Sequence, residues 1–460
     1  MLAGRDLPSW CSLGLLLVGL AWLVACARPP LTSTPSAAPT ELSGASIALQ
    51  SRPVVDSPPT LPSSTTVPLR SIPTPSPYPV SEPCGVLLPV TGDDPQQATS
   101  VPAEGALPSE VPEAARPALD RLLQAPDTVG LAAFQPGREA AGVYLNADTR
   151  MPLASVVKIV NLAAYAQAVD AGLLDPAEWV ALDDIDRYYL PGSNLGAHNR
   201  ALTDLRERNL VAYEPPATPM EELPGMMIRY SSNAATDYLH LRLGQRTIEQ
   251  TALDIGLSRQ TAPCPWLGQF LVMSNHTRVA SDGPAVRQLV NDPARYGFEV
   301  MSLTLAYAAD PDFRAAEQRP RWRAPLASQR LLAAELNARG TAREYANLMA
   351  RIQRNNLATD YQNIIVRRAL EWPTPFPDNQ ALFSTVGYKD GSLPGILTTV
   401  YYARRLVDQA PVVVALFYRD LPQTTYRRWR QTLSHDELAR WLLADPAAIP
   451  TLRQLLSQSE

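Results

Sequence analysis

The sequence predicts an α+β fold: an antiparallel sheet of about five strands, drawn from both ends of the folded region and packed against helices, beside a mainly helical second lobe. Three observations support this. Two strand-like runs, Thr128 to Phe134 and Ala141 to Leu145, flank Pro136-Gly137 near the start, which is a hairpin signal. Three more strand-like runs, Leu382–Lys389, Gly395–Tyr402 and Pro411–Tyr418, come late. The long stretch between, from Ser155 to Leu370, is mostly helical in its periodicity. A sheet whose first and last strands meet follows from that order.

The flanking elements complete the folded region, 109–460. Ser109-Glu-Val-Pro-Glu-Ala-Ala reads as a capped helix start, with apolar residues continuing through Leu122 and Leu123. A helix around Leu438–Leu443 and another near Leu452 close the chain. No internal repeat is present.

The first 108 residues read differently. Arg5 precedes an apolar run from Leu13 to Val24, short for a membrane span and typical of an export signal. It ends in Leu23-Val24-Ala25-Cys26, which resembles a bacterial lipobox. That resemblance implies a signal peptide over 1–25, cleavage before Cys26 and lipidation of its thiol. An uncleaved helical anchor is the alternative, and either one holds the protein at a membrane, facing outward. Residues 26–108 are rich in Pro, Ser and Thr, as in Ser71-Ile-Pro-Thr-Pro-Ser-Pro-Tyr-Pro79. Such composition favours extended, unpacked chain and reads as a stalk, with a small ordered piece around Val86–Val90.

Composition narrows the function. The 460 residues carry a net charge of -5, which offers no clustered basic face for nucleic acid. Of 40 basic residues only Lys158 and Lys389 are lysines, which leaves 40 − 2 = 38 arginines. Arginine keeps its proton in a protein, whereas lysine shifts its pKa when desolvated. A site that needs a neutral amine or a compact ammonium cannot use arginine, and both lysines fall in motifs that carry chemistry. Cys84 and Cys264 either pair in an oxidising compartment or remain separate thiols. His198, His240, His276 and His435 show no metal-ligand spacing and read as ordinary surface or core residues. No metal or cofactor is expected.

The first motif is Pro152-Leu-Ala-Ser155-Val-Val-Lys158-Ile. Ser and Lys three apart share a helix face. A buried lysine can be neutral and accept the hydroxyl proton, which makes Ser155 a nucleophile and Lys158 its base. A serine at a helix start also sets its own N–H and the positive end of the helix beside a developing oxyanion. The second is Met227-Ile-Arg-Tyr-Ser231-Ser-Asn233-Ala-Ala-Thr-Asp237-Tyr-Leu, and the third is Thr385-Val-Gly-Tyr-Lys389-Asp-Gly391-Ser-Leu-Pro-Gly395.

The order S-x-x-K, S-x-N, K-x-G resembles class A β-lactamases and penicillin-binding proteins, over roughly Ser109 to the C-terminus. The resemblance implies a β-lactamase/transpeptidase-like fold and a set of roles. Ser231 would relay a proton to the leaving nitrogen. Asn233 would hold a substrate amide and orient Lys158. Lys389 would supply a fixed positive charge for a substrate carboxylate and for Ser231. Gly391 would let a substrate approach the strand closely, and the Ser392 N–H would join that of Ser155 in an oxyanion hole.

The sequence also departs from the pattern. Asp390 stands where the family has Thr or Ser, and its carboxylate would repel an anionic substrate group unless Lys389 neutralises it. The E-x-x-L-N glutamate that activates a deacylating water is missing. Glu335-Leu-Asn337 resembles its end, but Ala333 occupies the first position, and Glu335 reads as an exposed helix residue. Asp186-Arg-Tyr-Tyr-Leu-Pro-Gly-Ser-Asn194 resembles a cleft-side loop of these hydrolases. The poorly matched stretch from Cys264 to Ala334, with Trp266 and Trp322, reads as a lid.

The expectation is therefore a lipid-anchored, extracytoplasmic, monomeric serine acyl-hydrolase. It would open β-lactams through a Ser155 acyl-enzyme. The alternatives are a D-alanyl-D-alanine peptidase acting on cell-wall peptides, an esterase, or a non-catalytic lipoprotein binding module of the same fold.

Overall fold

The computed structural model describes residues 84–89, 110–274, 282–318 and 325–458. The export signal, Cys26, most of the stalk, His276 and Trp322 lie outside the described residues.

A helix over Arg116–Gln124 leads into β1 (Val129–Phe134) and β2 (Val143–Leu145). Short strands follow: β3 (Met151–Pro152), β4 (Trp179–Ala181), β5 (Ala212–Tyr213), β6 (Pro216–Pro219) and β7 (Arg339–Gly340). Three long strands, β8 (Phe383–Leu393), β9 (Ile396–Arg405) and β10 (Pro411–Tyr418), come late. The main sheet has the order β2-β1-β10-β9-β8. The first and last long strands therefore pair, antiparallel, with Ala132 opposite Ala415. Lys389 on the edge strand β8 sits opposite Val400 of β9. The predicted α+β class and its five-stranded antiparallel sheet are what the chain forms.

The pairing is dictated by burial on both faces of β10. Val412, Val414, Leu416 and Tyr418 pack one way, with Leu119, Leu122, Trp429, Leu438 and Leu452 of the terminal helices. Val413, Ala415 and Phe417 point the other way, into the second core with Tyr345 and Met349. The period of two assigns these sets, and a strand buried on both faces reads as a continuous apolar run.

Three sequence expectations need correction. The first helix starts at Arg116 rather than Ser109, with Ala115 at its N-cap, no side-chain cap and Pro117 in its first turn. A proline whose missing N–H would be unpaired anyway suits that position better than Pro112 suits a helix interior. Ser109 itself lies outside the described residues. The helical middle is interrupted by two small sheets, β3-β7 and β4-β6-β5. Strands of two to four residues are too short to leave a periodic signal, and β3–β7 and β4–β6 form by long-range pairing. Finally, the Ser155 segment begins as a 3-10 turn, Ala154–Val157, before the α-helix Lys158–Asp170.

That helix is buried nearly all round, from Ile159 through Val169. It is a core helix rather than an amphipathic one. The lysine at its start is carried into the interior with it.

Cys84 and Cys264 form a disulfide. The segment they fasten, 84–89, pairs with the stretch before Cys264 through Gly85 N–H to Ala262 O at 2.9 Å and Ala262 N–H to Val86 O at 2.7 Å. The small ordered piece expected around Val86 is this segment, and Val90 falls outside the described residues. Among the described residues no helix is long and apolar enough to cross a membrane. Opening the disulfide with Cys84→Ser is expected to lower the unfolding free energy by roughly 2–4 kcal/mol, measured from denaturant melts of both proteins.

Candidate active site

Ser155 sits on a backbone that would not hold its shape alone. The preceding Ala154 has φ of 46°, a left-handed conformation that costs energy for any residue with a Cβ. Three hydrogen bonds from two distant segments fix it. Ala154 N–H donates to Asn337 Oδ1 at 2.9 Å, Leu153 N–H donates to Ala338 O at 2.9 Å, and Thr398 Oγ1 of β9 donates to Leu153 O at 2.8 Å. The edge strand β8 closes against the same turn. A Cβ built on Gly391 would lie 2.7 Å from Ser155 N and from Leu153 O, and would collide with Thr398 Oγ1. Only glycine permits this approach.

Lys158 follows one turn later and is 0 % exposed. Its Nζ donates to Ser231 O at 2.7 Å and to Asn233 Oδ1 at 2.7 Å, with Ser231 Oγ at 3.2 Å. The Trp266 ring lies beneath it, with its centroid 5.1 Å from Nζ. Burial pushes the Lys158 pKa well below the ordinary lysine value, and the Lys389 charge pushes the same way. A neutral amine has two N–H bonds and one lone pair, and the two carbonyl oxygens and the Ser231 hydroxyl match that set in number.

Ser231 is also in the left-handed region, with φ of 62°, just before the helix Asn233–Leu243. Its hydroxyl is shared by both lysines, because Lys389 Nζ lies 3.3 Å from Oγ. Lys389 is likewise 0 % exposed, and it also donates to Asp390 O at 2.8 Å and Asp390 Oδ1 at 3.0 Å. Ser392 lies one residue past Gly391, and its hydroxyl meets Tyr426 OH at 3.0 Å. The structure thus gathers Lys158, Ser231, Asn233 and Lys389 into one hydrogen-bonded group, and lays Gly391 and Ser392 alongside the Ser155 turn.

Several contributors were given no role by the sequence. Asp237 is buried and accepts the Trp266 and Leu267 N–H groups, both at 2.7 Å. Burial raises its pKa to about 7, although those two bonds and Lys158 pull it down. His198 is a core residue of a specific kind. Its Nε2 lies 2.7 Å from Asp186 Oδ1, and its Nδ1 lies 2.8 Å from Ser232 Oγ, which caps the Asn233–Leu243 helix. The loop around Asp186 therefore supports the Ser231 turn, with Tyr189 against the His198 ring at 4.8 Å. Glu335 stands outside the site, paired with Arg339 at 3.3 Å and exposed, as its pattern suggested. Asn337, two residues on, is the buried one. Among the described residues no cluster of three or more His, Cys, Asp or Glu could hold a metal ion.

The beta-lactamase enzyme family matches this chain over residues 114–436. The chain belongs to that family. The match takes in every group assembled above, from Ser155 to Ser392. No curated protein matches the chain. Among solved structures it is similar to a beta-lactamase from Sphaerobacter thermophilus DSM 20745, at 18 % identity over 72 % of this chain and 97 % of that one, with a TM-score of 0.45. It is also similar to PBP-A, at 15 % identity over 74 % of this chain and 100 % of that one, with a TM-score of 0.41. A beta-lactamase from Chitinophaga pinensis DSM 2588 shares 14 % identity over 70 % of this chain and 98 % of that one, with a TM-score of 0.41. This family member is a serine hydrolase of the β-lactamase type.

Asn337→Ala would strand the buried Ala154 N–H beside Ser155. A loss of roughly 1–3 kcal/mol in folding free energy is expected, measured by equilibrium denaturation.

Proposed function

We propose that the chain transfers acyl groups from β-lactams to Ser155 and then to water. The observation that carries this reading is the desolvated Lys158 amine, which shares the Ser231 hydroxyl with Lys389. Neutral Lys158 Nζ takes the proton from Ser155 Oγ as the oxygen bonds the carbonyl carbon. The Ser155 and Ser392 N–H groups hold the oxyanion. As the carbon–nitrogen bond breaks, Ser231 passes its proton to the leaving nitrogen and is reprotonated by Lys158. Asn233 orients Lys158, and Lys389 fixes Ser231. Water then cleaves the ester.

Trp266 favours a second reading on the same chemistry. A ring, rather than a carboxylate, covers Lys158, and both oxygens of Asp237 are engaged by backbone N–H groups. These residues give a water attacking the ester no free carboxylate base to take its proton, which supports a long-lived acyl-enzyme. That suits a D-alanyl-D-alanine peptidase or an esterase better than rapid β-lactam turnover. The proposal extends to location: export, lipidation at Cys26 and residence outside the cytoplasm as a monomer. The apolar run before Cys26 and the disulfide support it.

Exposure to a penicillin should add one ligand mass to Ser155 in intact-protein mass spectrometry, and Ser155→Ala should abolish it. An unmodified Ser155, with a chromogenic cephalosporin left intact, would leave a binding module of the same fold. Lys158→Arg, which cannot become neutral, should slow acylation by about 100-fold or more. The pH profile gives a separate check. Lys158 works when deprotonated, and its pKa is lowered. Acylation should therefore plateau well below pH 10.5 and fall on acidification, rather than climb towards the ordinary lysine range.

A further inference from the structure

The two lysines of the cleft carry less positive charge than their number suggests. Lys158 is held towards its neutral form by burial and by the neighbouring Lys389. Lys389 keeps all three donors occupied, and the one ionic partner is the carboxylate of the next residue. That partner, Asp390, has a side chain 47 % exposed, while Lys389 is fully enclosed. Desolvation pushes its pKa up, but the Lys389 charge and hydrogen bond outweigh that and hold the carboxyl below the usual carboxylate range.

An acyl donor reaching Ser155 along β8 therefore meets the anionic member of the pair. The ammonium lies behind it. Beside Asp390 the strand offers Gly391 and the Ser392 hydroxyl, which is joined to Tyr426 OH. The guanidinium in this direction, Arg430, stands over the Tyr426 ring at 5.8 Å from its centroid. Arg430 apart, no cation named here lacks a carboxylate or a neutral form of its own, and two carboxylates side by side in the cleft repel each other.

We infer that Asp390 is a specificity-determining residue that turns away acyl donors bearing a carboxylate and admits those whose corresponding end is uncharged. The inference rests on the acyl-transfer reading of Ser155 and narrows its acyl donors: among β-lactams, esters and amides, those uncharged at the end that faces Asp390 react faster. Asp390 occupies Lys389 from within, doing for it what a substrate carboxylate would otherwise do. Discrimination by an internal counter-charge works through the rejected ligand as much as through the accepted one.

The test uses the full chain and a matched pair of probes, benzylpenicillin and its methyl ester. The second-order rate of Ser155 acylation is read from intact mass for each. The methyl ester should react faster than the free acid, and Asp390→Thr should reduce that ester-to-acid ratio by roughly 10-fold or more. Asp390→Asn keeps the side-chain shape and should move the ratio in the same direction, which covers a misfolded threonine variant. A free acid that reacts as fast as its ester, or a ratio unmoved in both variants, overturns the inference. So does a fall in ester acylation that matches the fall for the acid, because Asp390 would then act on the chemistry through Lys389. If neither probe nor a fluorophosphonate modifies Ser155, the acyl-transfer reading itself has failed, and that result is distinct from the others.

Discussion

Lys158 Nζ lies where water does not reach, at the start of a helix that is apolar on nearly every side. Desolvation of a charge there is too costly to leave uncompensated, so the burden falls on the protonation state. The surroundings match a neutral amine: two carbonyl oxygens for its donors, an aromatic face below, a second ammonium nearby. Each feature comes from a different part of the chain, and none has a role at the cleft unless the helix is buried. The all-round burial of Lys158–Asp170 is thus a condition of the chemistry as well as of the core.

The same dependence runs through the backbone. Ala154 and Ser231 both adopt left-handed conformations, and both adjoin the reacting groups. Neither would persist in a short peptide. Asn337 secures the first from a segment far along the chain. His198 and Asp186 secure the cap that follows the second. Asn337 Nδ2 also donates to Gln269 Oε1 at 3.1 Å, and Gln269 Nε2 donates to Cys264 O at 3.0 Å. A continuous set of bonds thus runs from the disulfide to the residue before Ser155, which makes the turn an extension of the rigid lobe.

Much of this was legible in the residues, for identifiable reasons. Strands near both ends were readable because β1 and β10 are apolar on both faces, and a run of branched residues has few alternatives. The residues that gather around the Ser231 hydroxyl were readable because each belongs to a tripeptide or tetrapeptide with a fixed spacing. Asn337, Trp266 and His198 were not readable as participants, because their importance lies in partners 183, 29 or 34 residues away or in a ring that lies over an amine. Glu335 was read as an exposed residue and is one, but nothing in the sequence marked its buried neighbour two positions on, Asn337, as the one that does the holding. The first helix was misplaced because Ser109 looks like a cap, whereas Pro117 marks where the backbone turns.

One feature of composition has a chemical consequence. The side chains of this protein offer no primary amine to solvent: the sequence has two lysines, and both are fully enclosed. The outer positive charge is guanidinium throughout. An electrophile strong enough to acylate a serine would ordinarily also decorate surface lysines, slowly and at random. Here such off-target capture has no side-chain amine to act on, and amine-directed cross-linkers or dyes will find the folded surface almost inert.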